Sequence, residues 1–479
     1  MEGVTQELAA FVSRTKYEDL PQADIDRTKY AILDSIGCAL GGHVTDRAKI
    51  ALELVAQLGG KPQATVIGNG YTSYNMAAFA NGELINALDY DIIGPVAGHA
   101  CPIVVSPSLA LGEKAHASGR ELITSIALAF EIARRIMLSM ARFRIPKKEP
   151  PYYEDSPRYS QSVTLFGGVA GASKVLQLNK EETANAFGIA GASTPVGAGM
   201  KWHHIDGPIH MTKYNCWSGW VASLAVMATL AAERGFTGDT TILDGERGFW
   251  QIFGSPFVKW DMILGELGKT WHLDTELVFK PYPTCRGNHT GIEAISNLVR
   301  QNGIKPDDIE AIVVKTDPIL ITPLREGLEV KSFADTQFRN AYIFAIAALH
   351  GSEPGPQWQL PSTYNDPKIR ALMEKVKVEI HPNTDEMASA GAKAGKSSVF
   401  NNIIAEIYAG GRKFTAEVEI PRGNRSRALT EEELKEKFRN NAGYSSLKVS
   451  RCEEAIDMIL NLEKVDDVCE LLKVVNIET

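Results

Sequence analysis

Residues 279–289 read FKPYPTCRGNH, and this stretch separates two parts of the sequence that differ in composition. Before it, apolar residues recur at three- and four-residue spacing and Ala, Gly and Ser are frequent, which predicts closely packed helices. After it, β-branched and charged residues alternate at 309–315, 375–380 and 416–420, which predicts strands. The stretch therefore marks the predicted junction between a helical domain and a smaller α+β domain.

The helical pattern continues on both sides of this junction. Before it, the predicted helices are residues 76–86, 107–117, 121–140, 166–178, 181–190 and 217–234, and after it 290–301, 336–350 and 367–375. Beyond Pro421, residues 430–433 (TEEE) are typical of a capping box, and helices are predicted at 434–438, 451–462 and 465–474. The periodicity alone leaves two placements for these last helices: a third small domain, or packing against the first helices.

Composition limits the class of partner. The chain has 479 residues, of which 44% are hydrophobic and 23% charged, as in an ordinary globular protein. Its 50 Lys and Arg against 58 Asp and Glu give a net charge of −8. Nucleic-acid binding and anionic-membrane binding need a basic surface, so small molecules or other subunits are the predicted partners.

Cysteine usage and hydropathy predict a cytoplasmic protein. The six cysteines are scattered and form no C-x-x-C pair, which argues against structural zinc and a dense disulfide scaffold. The N-terminus lacks the basic and apolar regions of a secretory signal. The least polar stretch, residues 217–232, is shorter than the roughly 20 residues that a membrane span needs.

Titratable residues beside turn-forming Gly or Pro mark candidate sites. The first is LDYD at 88–91 with GHACP at 98–102, where Asp89 and His99 are ten residues apart across an irregular loop. These two side chains either converge on one pocket or lie on a solvated surface loop.

The second candidate is KWHHIDGPIHMTK at 201–213, which places three His and two Lys before the most apolar predicted helix. The spacing does not match a usual zinc motif. A cationic cluster near a helix start suits an anionic substrate, although satisfied histidines with solvated lysines fit equally well.

The junction itself is a second carboxylate-binding candidate, because Lys280, Arg286 and His289 lie at a proline-set turn before a predicted helix. Cys285 is interpreted as a small buried thiol rather than a nucleophile, since no acid–base arrangement for a thiolate is evident. Residues 157–162 (PRYSQS) are uninformative by themselves. No glycine-rich stretch matches a nucleotide motif, so no cofactor is predicted.

Taken in order, several motifs resemble the MmgE/PrpD family, which includes 2-methylcitrate dehydratase, cis-aconitate decarboxylase and iminodisuccinate epimerase. The similar segments are residues 27–37, 81–82, 88–91, 98–99, 212–213, 235–238, 279–286 with His289, 429–434 and 437–439. The resemblance implies a mainly α fold, in which residues 1–273 and 421–479 form a helical domain and 274–420 an inserted α+β lid domain. It also implies a homodimer that needs no metal or organic cofactor.

The resemblance further implies a site in the cleft between the two domains. Asp89, His99, Lys213 and Lys280 match the family's catalytic residues, and the predicted substrate-binding residues are Tyr159, His204, His210, Arg286 and His289. Two positions depart from the family pattern. Ile92 follows Asp91 where many members have a further acid, and Arg158-Tyr159 stands where decarboxylase-type members carry a His. His203, His204 or His210 are the candidates to replace that His.

The leading functional hypothesis is a cofactor-independent hydro-lyase that dehydrates a hydroxylated di- or tricarboxylate such as 2-methylcitrate. The alternatives are an isomerase or epimerase, or a cis-aconitate-type decarboxylase, acting on a related polycarboxylate with the same proton-transfer residues. A third interpretation, from another class, is a non-catalytic carboxylate-binding protein.

Overall fold

A computed structural model describes residues 1–94, 98–140, 144–146, 153–155, 161–197, 201–202, 208–245, 248–255, 257–384 and 402–477 of the chain. The fold is mainly α, as predicted. The helices that precede the junction are α1 Val4–Arg14, α2 Gln22–Gly42, α3 Asp46–Leu58, α4 Tyr74–Asn86, α5 Cys101–Ala115, α6 Gly119–Ser139, α7 Leu165–Val175, α8 Lys180–Ser193, α9 Ser218–Glu233, α10 Phe249–Ile252, α11 Trp260–Leu264 and α12 Leu273–Glu276.

The remaining elements follow the junction or form short hairpins before it. The later helices are α13 His289–Asn302, α14 Pro323–Glu326, α15 Phe333–Phe338, α16 Asn340–His350, α17 Pro361–Tyr364, α18 Pro367–Met373, α19 Glu431–Ala442, α20 Val449–Leu460 and α21 Val468–Val475. The strands are β1 Ala64–Val66, β2 Gly70–Thr72, β3 Arg144–Pro146, β4 Tyr153–Asp155, β5 Ile309–Thr316, β6 Val376–Ile380, β7 Ile403–Ala409 and β8 Arg412–Val418.

Capping residues in the sequence determine where several helices begin. The Thr430 side chain accepts from the Glu433 N–H, and Glu433 accepts from the Thr430 N–H, so the capping box predicted at this position opens α19. Ser118 with Glu121 does the same for α6. These pairs satisfy N–H groups that the first turn of a helix leaves without intrahelical partners.

The C-terminal helices pack against the N-terminal ones. One continuous hydrophobic core includes residues from α1 to α9 together with Leu434, Phe438 and the apolar faces of α20 and α21. Helix α2 approaches α19 closely at Gly37. A Cβ on this residue would lie 3.0 Å from the Phe438 ring, so glycine leaves room for the contact. Of the two placements that the periodicity left open, the structure therefore has the second.

A second core lies in the α+β part of the chain. It is formed by α13, α16 and α18 against a four-stranded sheet in the order β6-β5-β7-β8. Strands β5 and β6 are parallel, and the other two pairs are antiparallel. Burying one face of the sheet against the helices explains why apolar residues alternate along β5.

Several details differ from the sequence-based expectations, and one of them is that α5 begins at Cys101 rather than at the predicted residue 107. Strand β7 was not predicted, and β8 begins earlier than the predicted 416–420 strand. The single helix predicted at 336–350 is two helices, because Arg339 adopts an extended conformation (ψ 111°) and bends the chain. Short antiparallel hairpins, β1-β2 and β3-β4, interrupt the helical part.

None of the described helices is both long and apolar enough to cross a membrane.

Candidate active site

Four side chains that were predicted to be catalytic lie together in the structure. Asp89 Oδ2 is 3.0 Å from Lys280 Nζ, and Asp89 Oδ1 is 3.3 Å from His99 Nε2 and 3.7 Å from Lys213 Nζ. All four side chains are buried. Residues that are up to 191 positions apart in the sequence thus form one charged cluster around the Asp89 carboxylate.

The backbone at Asp89 makes this arrangement possible. Helix α4 ends at Asn86, and Asp89 then takes a left-handed conformation with φ 54°. Asp is one of the few non-glycine residues that tolerate this conformation. This turn places the carboxylate close to the end of α4. Lys213 Nζ, which faces the Asp89 carboxylate, also donates to the Asn86 carbonyl at the end of that helix.

Asp91 holds the His99 imidazole in place. Its two carboxylate oxygens lie 3.1 and 3.0 Å from His99 Nδ1, and Asn86 Nδ2 donates to Asp91 Oδ1 at 3.1 Å. A carboxylate at Nδ1 favours the tautomer with its proton there and leaves Nε2 to exchange protons. His99 Nε2, the other ring nitrogen, faces Asp89 Oδ1. The Tyr214 ring stacks on the imidazole with ring centroids 5.7 Å apart.

Lys280 reaches the cluster from the junction that separates the two parts of the sequence. Ile93 and Val278 exchange backbone hydrogen bonds, which fixes the chain just before Lys280 against the segment that follows Asp91. Lys280 Nζ then donates to both the carbonyl (2.7 Å) and the carboxylate of Asp89. The lysine thereby stabilises the left-handed turn as well as the charge of Asp89.

Burial and charge shift the pKa values of the cluster in opposite directions. Burial raises the pKa of Asp89, but Lys280, Lys213 and His99 outweigh it and hold the pKa well below its usual range. Asp91 behaves similarly, because His99 outweighs burial and lowers its pKa. For Lys213, burial dominates over the attraction of Asp89 and lowers the pKa to about 7. At neutral pH the two carboxylates are therefore ionised, whereas Lys213 is poised between its charged and neutral forms.

Two glutamines of the α+β part contact the same turn from the other side. Gln337 Nε2 donates to the Ala87 carbonyl at 2.8 Å, and Gln359 Nε2 donates to the carbonyls of Leu88 (2.7 Å) and Pro283 (2.8 Å). Both side chains are buried. The turn that carries Asp89 is consequently held by side chains from both parts of the sequence.

Arg286 and His289, predicted to bind substrate, have their hydrogen bonds taken up within the fold. The Arg286 guanidinium donates to the carbonyls of Arg422 and Pro421 and to Asn424 Oδ1. His289 Nε2 lies 3.1 Å from the Thr284 carbonyl, and its Nδ1 lies 3.1 Å from Arg286. Burial, followed by the charges of Arg286 and Lys280, lowers the pKa of His289 well below its ordinary value. These contacts join the junction to the segment before α19, and substrate binding by the pair stays a prediction.

Of the remaining predicted residues, only His210 lies in the part of the chain that the structure describes. His210 is exposed, and its ring packs edge-on against Trp202 with centroids 5.0 Å apart. Tyr159 and His204 lie outside the described residues, as do Arg158 and His203. Their roles in substrate binding also stay predictions.

Two family models match most of the chain. The model described as the MmgE/PrpD N-terminal domain matches residues 6–259, and the model described as the MmgE/PrpD C-terminal domain matches residues 282–464. The chain belongs to the MmgE/PrpD family. The predicted family is thereby confirmed, and the gap between the two models contains the first part of the junction.

Curated relatives within the MmgE/PrpD family match nearly the whole chain. Cis-aconitate decarboxylase of Homo sapiens is 26% identical over 98% of this chain and 94% of its own length. The Mus musculus protein of the same name is 26% identical over 98% and 93%, and a cis-aconitate decarboxylase-like protein of Aspergillus oryzae is 26% identical over 99% and 97%. The similarity extends along both parts of the fold and includes the segments that carry the charged cluster.

The site of this MmgE/PrpD member contains groups that sequence reasoning did not select. Asp91 was quoted within its motif but was not assigned a role, and Tyr214 follows Lys213 directly in the sequence. Arg325, on α14, was not considered. Its Nη2 donates to Cys285 Sγ at 3.2 Å, and Cys285 Sγ lies 3.8 Å from the Tyr214 hydroxyl. In the sequence, Asp91 lies two residues after Asp89 and Tyr214 follows Lys213, so adjacency to predicted site residues was the signal for these two. No comparable signal marks Arg325.

Ligand atoms suited to a metal come together elsewhere. Among the described residues, His116, Asp467 and Cys469 offer atoms within 4.8 Å of one another. His116 follows the C-terminus of α5, whereas His99 precedes its N-terminus, so about 20 Å of helix separates this surface group from the Asp89 cluster. The chemistry of the cluster itself rests on carboxylates, an imidazole and amines.

Proposed function

We propose that this protein is a cofactor-independent lyase that dehydrates a hydroxylated di- or tricarboxylate by removing a proton next to a carboxylate. One observation carries the proposal. The His99 imidazole lies between two carboxylates, with Asp91 at Nδ1 and Asp89 at Nε2, and two lysines contact Asp89. A buried imidazole held by a carboxylate is a group suited to general acid–base catalysis.

The geometry divides the proton-transfer roles. His99 Nε2 takes the proton from the carbon next to the substrate carboxylate, and Asp91 stabilises the imidazolium that forms. The electron pair left on carbon forms the double bond as the hydroxyl leaves, and Lys213 in its ammonium form gives that hydroxyl a proton, so that water departs. The product is an alkene. Proton transfer from His99 back to Lys213, directly or through water, restores the starting state.

Asp89 has a separate role in this proposal. Its Oδ1 is buried and accepts no hydrogen bond from a described residue, although His99 Nε2 and Lys213 Nζ lie within 4 Å of it. An ionised oxygen with spare hydrogen-bonding capacity can accept from a substrate hydroxyl. The same carboxylate keeps the two lysines and the imidazole close together, which limits the repulsion between them.

Decarboxylation is the second candidate reaction. It is supported by the relatives, whose names describe cis-aconitate decarboxylases and their like. The same His99 and Lys213 pair would protonate the carbanion left when CO₂ departs. The resemblance, however, implies a further His before helix α7 for this reaction, and the chain has Arg158-Tyr159 at that position. Dehydration therefore remains the first proposal.

The test is a substrate panel followed by NMR and mass spectrometry in deuterated water. The panel comprises 2-methylcitrate, citrate, cis-aconitate and smaller hydroxy- or amino-dicarboxylates, each incubated with wild-type protein and with His99→Gln. Dehydration gives an alkene with loss of water, decarboxylation gives CO₂ and a deuterated product, and epimerisation exchanges the α-proton without loss of mass.

Each outcome bears on the proposal. Alkene formation by wild-type protein and its loss in His99→Gln support dehydration at this site. Release of CO₂ with no dehydration of any hydroxy acid would contradict dehydration and support decarboxylation, the second candidate reaction. Exchange of the α-proton alone indicates an epimerase, and binding of several acids without turnover indicates a carboxylate-binding protein.

A further inference from the structure

Arg325 carries a buried charge that contacts no carboxylate among the described residues. The residue lies on α14 in the α+β part of the chain and is only 2% exposed. Nη2 donates to the Cys285 sulfur at a distance of 3.2 Å. Sulfur is a weak hydrogen-bond acceptor. The other two nitrogens, Nε and Nη1, have no acceptor among the described residues.

The other buried arginines of the described segments show what this environment normally contains. Each of them contacts a carboxylate, and the pairs are Arg47 with Glu83 at 2.7 Å, Arg135 with Glu131 at 2.6 Å and Arg339 with Asp335 at 3.5 Å. Desolvating a charge without a partner costs several kcal/mol, so buried charges are ordinarily paired. Within the described segments Arg325 is the exception, which is the arrangement expected of a side chain that receives its anion from a bound ligand.

The position of Arg325 connects it to the acid–base group. Cys285, which accepts from Arg325, contacts the Tyr214 hydroxyl at 3.8 Å, and the Tyr214 ring stacks on His99. Burial lowers the pKa of Arg325, but Cys285, Tyr214 and also Asp89 outweigh it and raise the pKa. The guanidinium therefore stays charged and lies within electrostatic reach of the Asp89 carboxylate.

The charges around His99 are otherwise matched within the protein. Lys280 contacts Asp89 at 3.0 Å and Lys213 contacts it at 3.7 Å, so both amines already face a carboxylate. A second donor without an acceptor lies beside Arg325. The Trp202 ring is 5.3 Å from the Phe338 ring, Arg325 is 5.8 Å from the same ring, and Trp202 Nε1 is buried with no acceptor in the described part of the chain.

We propose that Arg325 binds a carboxylate of the substrate that is distinct from the one next to the carbon where His99 acts. This assignment rests on the proposed function of the Asp89 cluster and deepens it, because it names the residue that binds the second carboxylate of the substrate. A planar guanidinium suits this role because it can donate to a carboxylate through more than one N–H.

The experiment measures binding of tricarballylate, a saturated tricarboxylate that has no hydroxyl to lose. Calorimetry and thermal unfolding are compared for wild-type protein, Arg325→Met, Arg325→Lys and Arg412→Met. The last variant is a matched control, since Arg412 is exposed on β8 with its guanidinium over the Phe414 ring. We expect the Kd to rise on the order of 10- to 100-fold in Arg325→Met, to rise less in Arg325→Lys, and to stay unchanged in Arg412→Met.

The melting temperature without ligand separates ligand binding from a structural role. Arg325→Met removes a buried charge that contacts no carboxylate in the described segments, so the unliganded protein should be as stable as the wild type or more stable. If Arg325→Met instead lowers the melting temperature and leaves the Kd unchanged, Arg325 is structural and the inference is wrong. If Arg325→Met does not fold, the Kd of Arg325→Lys for tricarballylate is the test. An unchanged Kd in that variant would also contradict the inference.

The same measurements keep the two proposals apart. If wild-type protein turns over a polycarboxylate from the panel and Arg325→Met binds tricarballylate as tightly as wild type, the proposed function stands and only the role of Arg325 falls. If wild-type protein neither binds tricarballylate nor turns over any acid of the panel, the proposed function is wrong. The inference about Arg325, which rests on that function, is then wrong as well.

Discussion

Lys437 Nζ on α19 lies 2.6 Å from Asp34 Oδ1 on α2, and both side chains are buried. The same ammonium donates to the carbonyls of Tyr90 (2.8 Å) and Lys280 (3.0 Å) and lies 3.9 Å from the centroid of the Tyr90 ring. Tyr90 separates Asp89 from Asp91 in the sequence. A single lysine near the end of the chain therefore fixes both segments that supply the charged cluster.

We predict that Lys437→Met lowers both stability and activity. Removing one partner leaves Asp34 buried and unpaired, which should cost about 3–5 kcal/mol of the free energy of unfolding. The carbonyls of Tyr90 and Lys280 also lose a donor, so Asp89 and Lys280 shift and kcat falls. Urea unfolding and steady-state kinetics on an active acid of the panel measure the two effects.

The double variant Asp34→Asn/Lys437→Met is the control for this prediction. It removes the unpaired carboxylate and should recover part of the lost stability, but not the lost kcat, because the two carbonyls still have no donor. Recovery of full activity in the double variant would show that the ion pair acts on stability alone.

We predict that His99→Gln lowers kcat by roughly 10²- to 10⁴-fold, because general acid–base catalysis typically contributes that much. Gln has a similar size and retains an amide that can donate to Asp91, so the variant should remain folded, with a lower melting temperature because Asp91 loses the imidazole that lowers its pKa. His116→Gln is the matched control, since His116 is exposed and lies beyond the opposite end of α5. A wild-type rate in His99→Gln would remove His99 from the mechanism.

The sequence was sufficient to predict the mainly α fold and four residues that meet in the structure. Asp89, His99, Lys213 and Lys280 each lie in a short motif with Gly or Pro nearby, and the order of these motifs was informative. Their convergence depends on two local features: the end of α4 before Asp89, which was predicted at residue 86, and the start of α5 after His99, which lies at Cys101 rather than at the predicted residue 107.

The groups that support the site could not be predicted, because they come from distant elements. Arg325 lies on a four-residue helix whose sequence is unremarkable, and Lys437 lies on a polar, amphipathic helix where a lysine is ordinarily solvated. Their burial follows from how α14 and α19 pack against the rest of the chain. Strand β7 was missed because its sequence, IIAEIYA, has apolar residues at successive positions and shows no clean apolar–polar alternation.

We predict that the stability contributed by Asp91 depends on pH on the acid side. Its pKa in the folded protein is lowered by His99 against the effect of burial, so its stabilisation is present above the unfolded-state pKa, near 3.8, and is lost as the pH falls. Asp91→Asn should therefore cost about 2 kcal/mol at pH 7, and the difference from wild type should shrink below about pH 4.

Urea unfolding at pH 7, 5, 4 and 3.5 measures this difference. Asp467→Asn is a comparison at a more accessible position, where the carboxylate contacts His116 at 2.9 Å at the surface and should contribute less. A difference between wild type and Asp91→Asn that stays constant over this range would mean that the charge of Asp91 is not the stabilising feature.

We predict that Lys213 sets the basic limb of the pH–rate profile. Burial lowers its pKa to about 7 despite the attraction of Asp89, so Lys213 is charged below that pH and neutral above it. If the ammonium form protonates the leaving hydroxyl, kcat should fall as the pH rises through about 7. Lys213→Arg, which stays charged at all these pH values, should have a lower maximal rate and no basic limb up to pH 9. Steady-state rates from pH 5.5 to 9 measure both profiles, and a basic limb near pH 7 in Lys213→Arg would assign that proton to another group of the cluster.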